Sequence, residues 1–182
     1  LDTYRRKLPG LGEYYHSGRE SGTQRSPSEY AQGLVEFMNE LHEEYEIKVF
    51  YVCLDPSAKG LQEEIRRATR TGLDYSVVIK NAENDVALGI SRVQKAFVFD
   101  ILSISPKQEN LIRELGIYEY DKKSIEKGKE VPIKENDHGC DALRYAIMTA
   151  WRYIKRWLPV ELEEKEYIVD IARKEVEDDG YI

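Results

Sequence analysis

The residues able to do chemistry in this chain are carboxylates and one imidazole, at two places far apart in the sequence. Asp55 ends the apolar stretch IKVFYVCLD, directly before the break Pro56-Ser57-Ala58. At the carboxyl end of a buried strand in an open α/β sheet, a carboxylate is held rigidly and still faces a ligand. An Asp-Pro pair is also an ordinary turn, and Asp55 by itself does not separate the two readings. The second place is Asp137-His138-x-x-Asp141, which opens a long helical stretch. On a helix, His138 and Asp141 share a face with Cβ atoms about 5–6 Å apart, so both can approach one divalent cation. A helix N-terminus favours an anion with no metal at all, and Asn136 or Asp137 as a plain cap is the competing reading. If the two places converge, they form a hard, oxygen-rich set suited to Mg2+ or Mn2+.

Other chemistries find no residues to carry them. Cys53 and Cys140 have neither the paired spacing of a zinc site nor enough company for a disulfide framework, and Cys140 reads as a core thiol. His16 and His42 have no acidic partner at a suggestive spacing and read as packing or surface residues. No G-x-x-x-x-G-K-S/T loop, G-x-S-x-G elbow or cysteine–histidine nucleophile is present.

The elements that must position these groups follow from periodicity and punctuation. The opening residues read as an irregular entry with a short strand near Glu13–Tyr15. Ser26-Pro27-Ser28-Glu29 is a capping box with proline at the first helical position, and apolar residues then recur at helical spacing to Tyr45. The stretch ending at Asp55 reads as a strand buried on both faces. It is followed by a helix over 58–70 and a second strand over 75–80. A helix over 85–99, an extended segment over 101–105 and a helix from Pro106 to about Leu115 come next. A lysine-rich loop or hairpin then leads to a helix that ends before Pro159. Strand, helix, strand in this order predicts an α/β layered domain.

The formal net charge of −7 is unevenly spread. Residues 160–182 hold nine acids (Glu161, Glu163, Glu164, Glu166, Asp170, Glu175, Glu177, Asp178 and Asp179) against Lys165, Arg173 and Lys174, a balance of −6. Residues 1–159 are therefore nearly neutral at −1, and the acidity reads as a solvated, helical tail. The charge does not exclude a nucleic-acid substrate for the body. No apolar run approaches the roughly 18 residues of a membrane span.

In order and spacing, four stretches resemble the C-terminal nuclease domain of tailed-phage terminase large subunits, especially the PBSX-like group. They are EYYHSGRESGTQRSPSEYA at 13–31, VFYVCLDPSA at 49–58, KNAENDVALGI at 80–90 and VPIKENDHGCDALRY at 131–145. The resemblance implies an RNase H-like fold, a central mixed β-sheet flanked by helices. It implies an endonuclease that cuts concatemeric double-stranded DNA with two Mg2+ or Mn2+ ions. Asp55 matches the strand-end ligand of that family, His138 and Asp141 match its final pair, and Asp137 lies beside them. The implied partners are DNA, an ATPase motor domain, a terminase small subunit and a portal, with no membrane. The implied place is the cytoplasm of an infected or lysogenic bacterium. Lys122, Lys123, Lys127 and Lys129 in the loop before the last helix are expected to touch phosphates. Lys59, Arg66, Arg67, Arg70 and Lys80, after Asp55, are lesser candidates.

One departure shapes the expectation. The family's first strand, with its leading Asp, belongs before the segment that here begins near Leu11. LDTYRRKLPG does not read as a buried strand, and Asp2 is a poor substitute. The nuclease domain over 1–159 is therefore expected to lack that strand and one ligand, to bind metal weakly and to cut DNA poorly or not at all. A catalytically inactive docking module for portal, motor or DNA is the alternative, with another RNase H-like nuclease as a further one.

Overall fold

The computed structural model describes residues 1–179. In chain order the elements are β1 (Leu8–Gly10), α1 (Gly18–Ser21), α2 (Pro27–Tyr45), β2 (Tyr51–Leu54), α3 (Lys59–Gly72), β3 (Val78–Asn81) and α4 (Val86–Val98). After these come β4 (Leu102–Ile104), α5 (Glu109–Ile117), α6 (Lys122–Glu126), α7 (His138–Ile154), a 3-10 turn (Lys155–Trp157) and α8 (Val160–Asp179).

The expected α/β class holds. β2 and β3 pair in parallel, Tyr51 opposite Val78 through Leu54 opposite Asn81, with α3 as the crossover that parallel pairing requires. β1 pairs in parallel with β4, Leu8 opposite Leu102 through Gly10 opposite Ile104. Among the described residues the sheet thus consists of two parallel pairs, and the antiparallel contacts are the isolated bridges Asp2–Lys7 and Tyr120–Pro132. The lysine-rich segment is the hairpin closed by that second bridge, with α6 inside it.

The entry segment differs from expectation in two ways. LDTYRRKLPG does supply a strand, because Leu8 donates to the Ile101 carbonyl and Gly10 accepts from Ser105. Glu13–Tyr15 is not a strand. Its side chains serve other helices instead. Both Glu13 carboxylate oxygens accept from the first turn of α5, Asn110 N at 2.7 Å and Leu111 N at 3.0 Å. The Tyr15 hydroxyl donates to Glu114 at 3.0 Å.

Local rules are obeyed where partners are local. Ser26 and Glu29 form the reciprocal box at the start of α2, which buries Ala31, Val35 and Met38 and packs against α3. α7 forms the centre of the core, with Ile147, Trp151 and Ile154 buried against Ala96 of α4 and Ile101 and Leu102 beside β4. α4 and α7 approach closely at Gly89, where a Cβ would stand 2.4 Å from Arg144 Cγ.

The start of α7 shows a cap that no local pattern announces. Glu114 of α5 is 1% exposed and accepts from Gly139 N at 2.6 Å and Cys140 N at 3.2 Å. A carboxylate at a helix N-terminus satisfies orphan donors and meets the positive end of the macrodipole. Glu114→Ala removes the acceptor of two amides and one partner of the Tyr15 hydroxyl. The expected cost is about 1–3 kcal/mol, read as a lower urea midpoint at unchanged m-value. Glu114→Gln, which keeps an acceptor oxygen, should cost less.

α8 accounts for much of the predicted tail, and part of its acidity turns inward. Glu166 is 2% exposed and pairs with Arg92 at 3.2 Å and with Lys95, while accepting from Trp151 Nε1 at 3.1 Å. Asp170 pairs with Arg92 at 2.5 Å and Lys155 at 2.8 Å. Residues 180–182 of the expected tail lie outside the described residues, as do the side chains of Arg173, Lys174, Glu175, Glu177, Asp178 and Asp179. No helix among the described residues is long and apolar enough to cross a membrane.

Candidate functional site

β2 delivers Asp55 one residue beyond its last ladder position, where Pro56 turns the chain. Each oxygen of the carboxylate accepts two hydrogen bonds. Oδ1 takes Ser57 N at 2.8 Å and Ser57 Oγ at 2.5 Å; Oδ2 takes the Tyr145 hydroxyl at 3.0 Å and Asn84 Nδ2 at 3.4 Å. The Ser57 hydroxyl and amide, then Tyr145, hold the Asp55 carboxyl below its usual pKa. Burial, reinforced by its bond to Asp55, pushes the Tyr145 phenol up.

Tyr145 lies on α7 one turn after Asp141, so the helix brings the second predicted acid to the same neighbourhood. Arg144 bridges the two. Its Nη2 donates to Asp141 Oδ1 at 2.8 Å and its Nη1 to Asn84 Oδ1 at 3.3 Å, and the Tyr145 hydroxyl stands 3.2 Å from that same Asn84 oxygen. Arg144 is 2% exposed, and its charge is balanced by Asp141 beside it. Lys134 completes the cluster from the incoming loop, 3.3 Å from Asp141 Oδ2 and 3.4 Å from Asp137 Oδ2. Burial alone would lower its ammonium pKa, but Asp141 and then Asp137 outweigh that and raise it.

Asp55 and Asp141 therefore meet through Asn84, Arg144 and Tyr145. All three bridging residues lie inside the stretches that carried the family resemblance, yet none of them had a role assigned from sequence. For Tyr145 the signal was available: it follows Asp141 by four residues, the spacing of one helix face.

His138 is placed differently. It is exposed at the first residue of α7 and lines a cleft of about 700 Å³ with Tyr15, His16, Tyr30, Lys134 and Asp137. Asp137 holds the N-cap position, but its side chain caps nothing, which corrects the plain-cap reading. The reason is Glu114, which already occupies the amides of residues 139 and 140. Asp137 is instead buried; among the described residues its Oδ2 accepts no hydrogen bond, and the Lys134 ammonium stands 3.4 Å away. Among the described residues, no three His, Cys, Asp or Glu side chains stand together as a metal cage.

The donor set nonetheless suits a hard cation. Mg2+ is commonly held by one or two carboxylates, with waters and substrate phosphates filling the other positions. Asp55 and Asp141 are such a pair. Burial pushes the Cys140 thiol up to about 12, so it is inert toward metal or nucleophilic work at neutral pH.

The basic residues fall into distinct groups. Lys59, Lys122, Lys123, Lys127 and Lys129 are exposed. Arg66 and Arg67 are matched along α3 by Glu63 and Glu64. Lys80 lies over the Tyr51 ring, 4.0 Å from its centroid.

Comparison with known proteins gives the arrangement a context. Residues 89–149, a stretch that includes the α4–α7 contact and Asp141, match the model of the terminase RNase H-like domain. The chain is similar to the large terminase of a thermophilic bacteriophage in several crystal structures. One shows 29% identity and a TM-score of 0.70 over 81% of this chain and 34% of that one. An ADP complex gives 28% and 0.69 over 81% and 34%, and an ATP-γ-S complex 28% and 0.69 over 79% and 34%. The chain thus spans about a third of the length of these large terminases. No curated protein sequence matches it. Together the likenesses support a terminase RNase H-like domain and the α/β fold that goes with it.

Proposed function

We propose that this chain is the nuclease part of a phage DNA-packaging terminase, a Mg2+- or Mn2+-dependent endonuclease acting on concatemeric double-stranded DNA. The observation that carries the reading is the convergence of Asp55, from the end of β2, with Asp141, from the first turn of α7. Asp55 and Asp141 would hold the metal, with His138 and, less directly, Asp137 reaching toward it from the start of the same helix. A divalent ion there would supply an activated water and offset charge on the scissile phosphate, in a site using two such ions. The chain's own residues aim the carboxylates: Ser57 and Asn84 orient Asp55, Tyr145 ties it to α7, and Arg144 and Lys134 balance Asp141. Lys122, Lys123, Lys127 and Lys129 would meet the DNA backbone, with Lys59 a lesser contact. An ATPase motor, a small subunit and a portal would be partners of the larger assembly, in the bacterial cytoplasm.

With Asp55 and Asp141 as the main ligands, metal binding by this chain should be weak. Mn2+ titration followed by electron paramagnetic resonance should show saturable binding that is lost in Asp141→Asn. Plasmid cutting by the same chain should be slow. Absence of saturable binding would sink the nuclease reading and favour a docking module.

A further inference from the structure

β2 and α7 run side by side, and their contacts extend well beyond Asp55. At one end Tyr145 of α7 touches Asp55. Seven residues later, on the same helix face, Arg152 Nη2 donates to the Tyr51 hydroxyl at 3.3 Å and to the Tyr153 hydroxyl at 2.5 Å. Between the two ends stands Lys80, paired in register with Cys53 and lying over the Tyr51 ring at 4.0 Å. Arg156, one turn further along, is fixed through its Nε to the Tyr153 carbonyl at 2.9 Å.

Two features together mark this strip. The first is charge balance. Arg66, Arg67, Arg92, Lys95, Lys107, Lys134, Arg144 and Lys155 each have a carboxylate within ion-pair distance. Among the described residues, Lys80, Arg152 and Arg156 have none, a property they share with the exposed Lys59, Lys122, Lys123, Lys127 and Lys129. Their positive charge is left for something outside the chain. The second is order. Aromatic faces and hydroxyls hold the cations: Lys80 on Tyr51, Arg152 over the Tyr153 ring at 4.6 Å, and Phe50 edge-on to Tyr51 at 4.7 Å. Cations already fixed lose little freedom when an anion arrives. The Tyr51 phenol senses the same field. Its bond with Tyr153, followed by the charges of Lys80 and Arg152, holds its pKa below the usual value.

We infer that Tyr51, Lys80 and Arg152 form a phosphate-binding strip that grips the DNA backbone at a fixed distance from the Asp55–Asp141 site. The inference rests on the nuclease reading and deepens it by naming where the duplex is held. Four residues of extended chain separate Tyr51 from Asp55, about 13 Å at the rise of a strand. That is under half of the roughly 34 Å turn of a DNA duplex, so one backbone can meet both places. Contacts of this type go to phosphate oxygens, and they set register without reading sequence.

The test uses the 182-residue chain in EDTA, with a short labelled duplex of arbitrary sequence, titrated by fluorescence anisotropy across a range of KCl concentrations. The double substitution Lys80→Gln/Arg152→Gln should reduce the slope of log K against log salt by about 2. It should weaken low-salt binding on the order of tenfold. The charge-keeping pair Lys80→Arg/Arg152→Lys should retain the slope; if it loses as much, the effect is one of folding and the inference fails. An unchanged slope in the Gln pair overturns the inference while leaving the nuclease reading intact. Wild-type protein with no salt-dependent duplex binding overturns the DNA reading and this strip with it. Loss of binding to an acidic peptide, with duplex binding unchanged, would assign the strip to a protein partner instead.

Discussion

Asp55→Asn is expected to weaken Mn2+ binding by at least about a hundredfold and to abolish any Mn2+-dependent plasmid nicking. The scale comes from metal sites in general. Losing a residue that merely orients a ligand costs 10–100-fold in affinity or activity, and a carboxylate ligand should cost no less. The substitution keeps the shape of the side chain: its oxygen can still accept from Ser57, and its amide nitrogen can donate to the Tyr145 hydroxyl, which then donates to Asn84 Oδ1. Removing the charge alone should therefore leave the fold intact, with a thermal midpoint close to that of the unsubstituted chain. That separation makes the experiment decisive. Near-native Mn2+ affinity in Asp55→Asn would mean that this aspartate is a turn residue. Collapse of both affinity and stability would mean that its hydrogen bonds, rather than its charge, are what the molecule needs. Vigorous cutting of plasmid by the unsubstituted chain, lost in Asp55→Ala, would overturn the expectation of weak activity while confirming the residue.

What could be seen in the sequence, and what could not, divides by the distance between partners. The Ser26–Glu29 box spans three residues, so its donors and acceptors are visible together in the chain. Asp55 was visible because an apolar run must end where the sheet ends. The strand expected at Glu13–Tyr15 failed for the opposite reason. Glu13 bonds Asn110 and Leu111, 97 and 98 residues away, and no local pattern announces a cap supplied by another segment. The cap of α7 shows the same blindness. Asp137 had the right type at the right position, yet Glu114, 25 residues before Gly139, reached that residue's amide. β1 was missed because it is three residues long, carries Pro9, and gains its ladder only from β4. At the site itself, the two acids were legible as types. The bridge through Asn84, Arg144 and Tyr145 depends on α4, α7 and β2 meeting in space.

The acidic tail is the case where charge pattern misled most, and it yields the largest stability effect. Glu166→Ala should destabilise the protein by about 3–5 kcal/mol, because it strands buried charge. Arg92 is as deeply buried as Glu166 and would be left with Asp170, which is partly exposed; Lys95 and the Trp151 indole would each lose their acceptor. Against a typical total stability of about 5–15 kcal/mol, such a loss is large enough to lower the urea midpoint severely. Replacing both members, as in Arg92→Met/Glu166→Leu, removes the stranded charge and should recover most of the loss, since apolar pairs often substitute for buried ions at little cost. The acid limb of the stability profile supplies a second reading. Burial would raise the Asp170 carboxyl pKa, but the hydrogen bonds from Lys155 and Arg92 outweigh it and lower it. With the folded value depressed, the stabilisation is fully present above the unfolded value of about 3.9 and is lost as pH falls through the folded one. Asp170→Asn should flatten that limb while leaving the Glu166 pairs in place. A midpoint unmoved by Glu166→Ala would mean that α8 is not anchored by this cluster. A severe drop, rescued in the apolar pair, would show that residues Val160–Asp179 are held to α4 and α7 by charges that the sequence alone assigns to solvent.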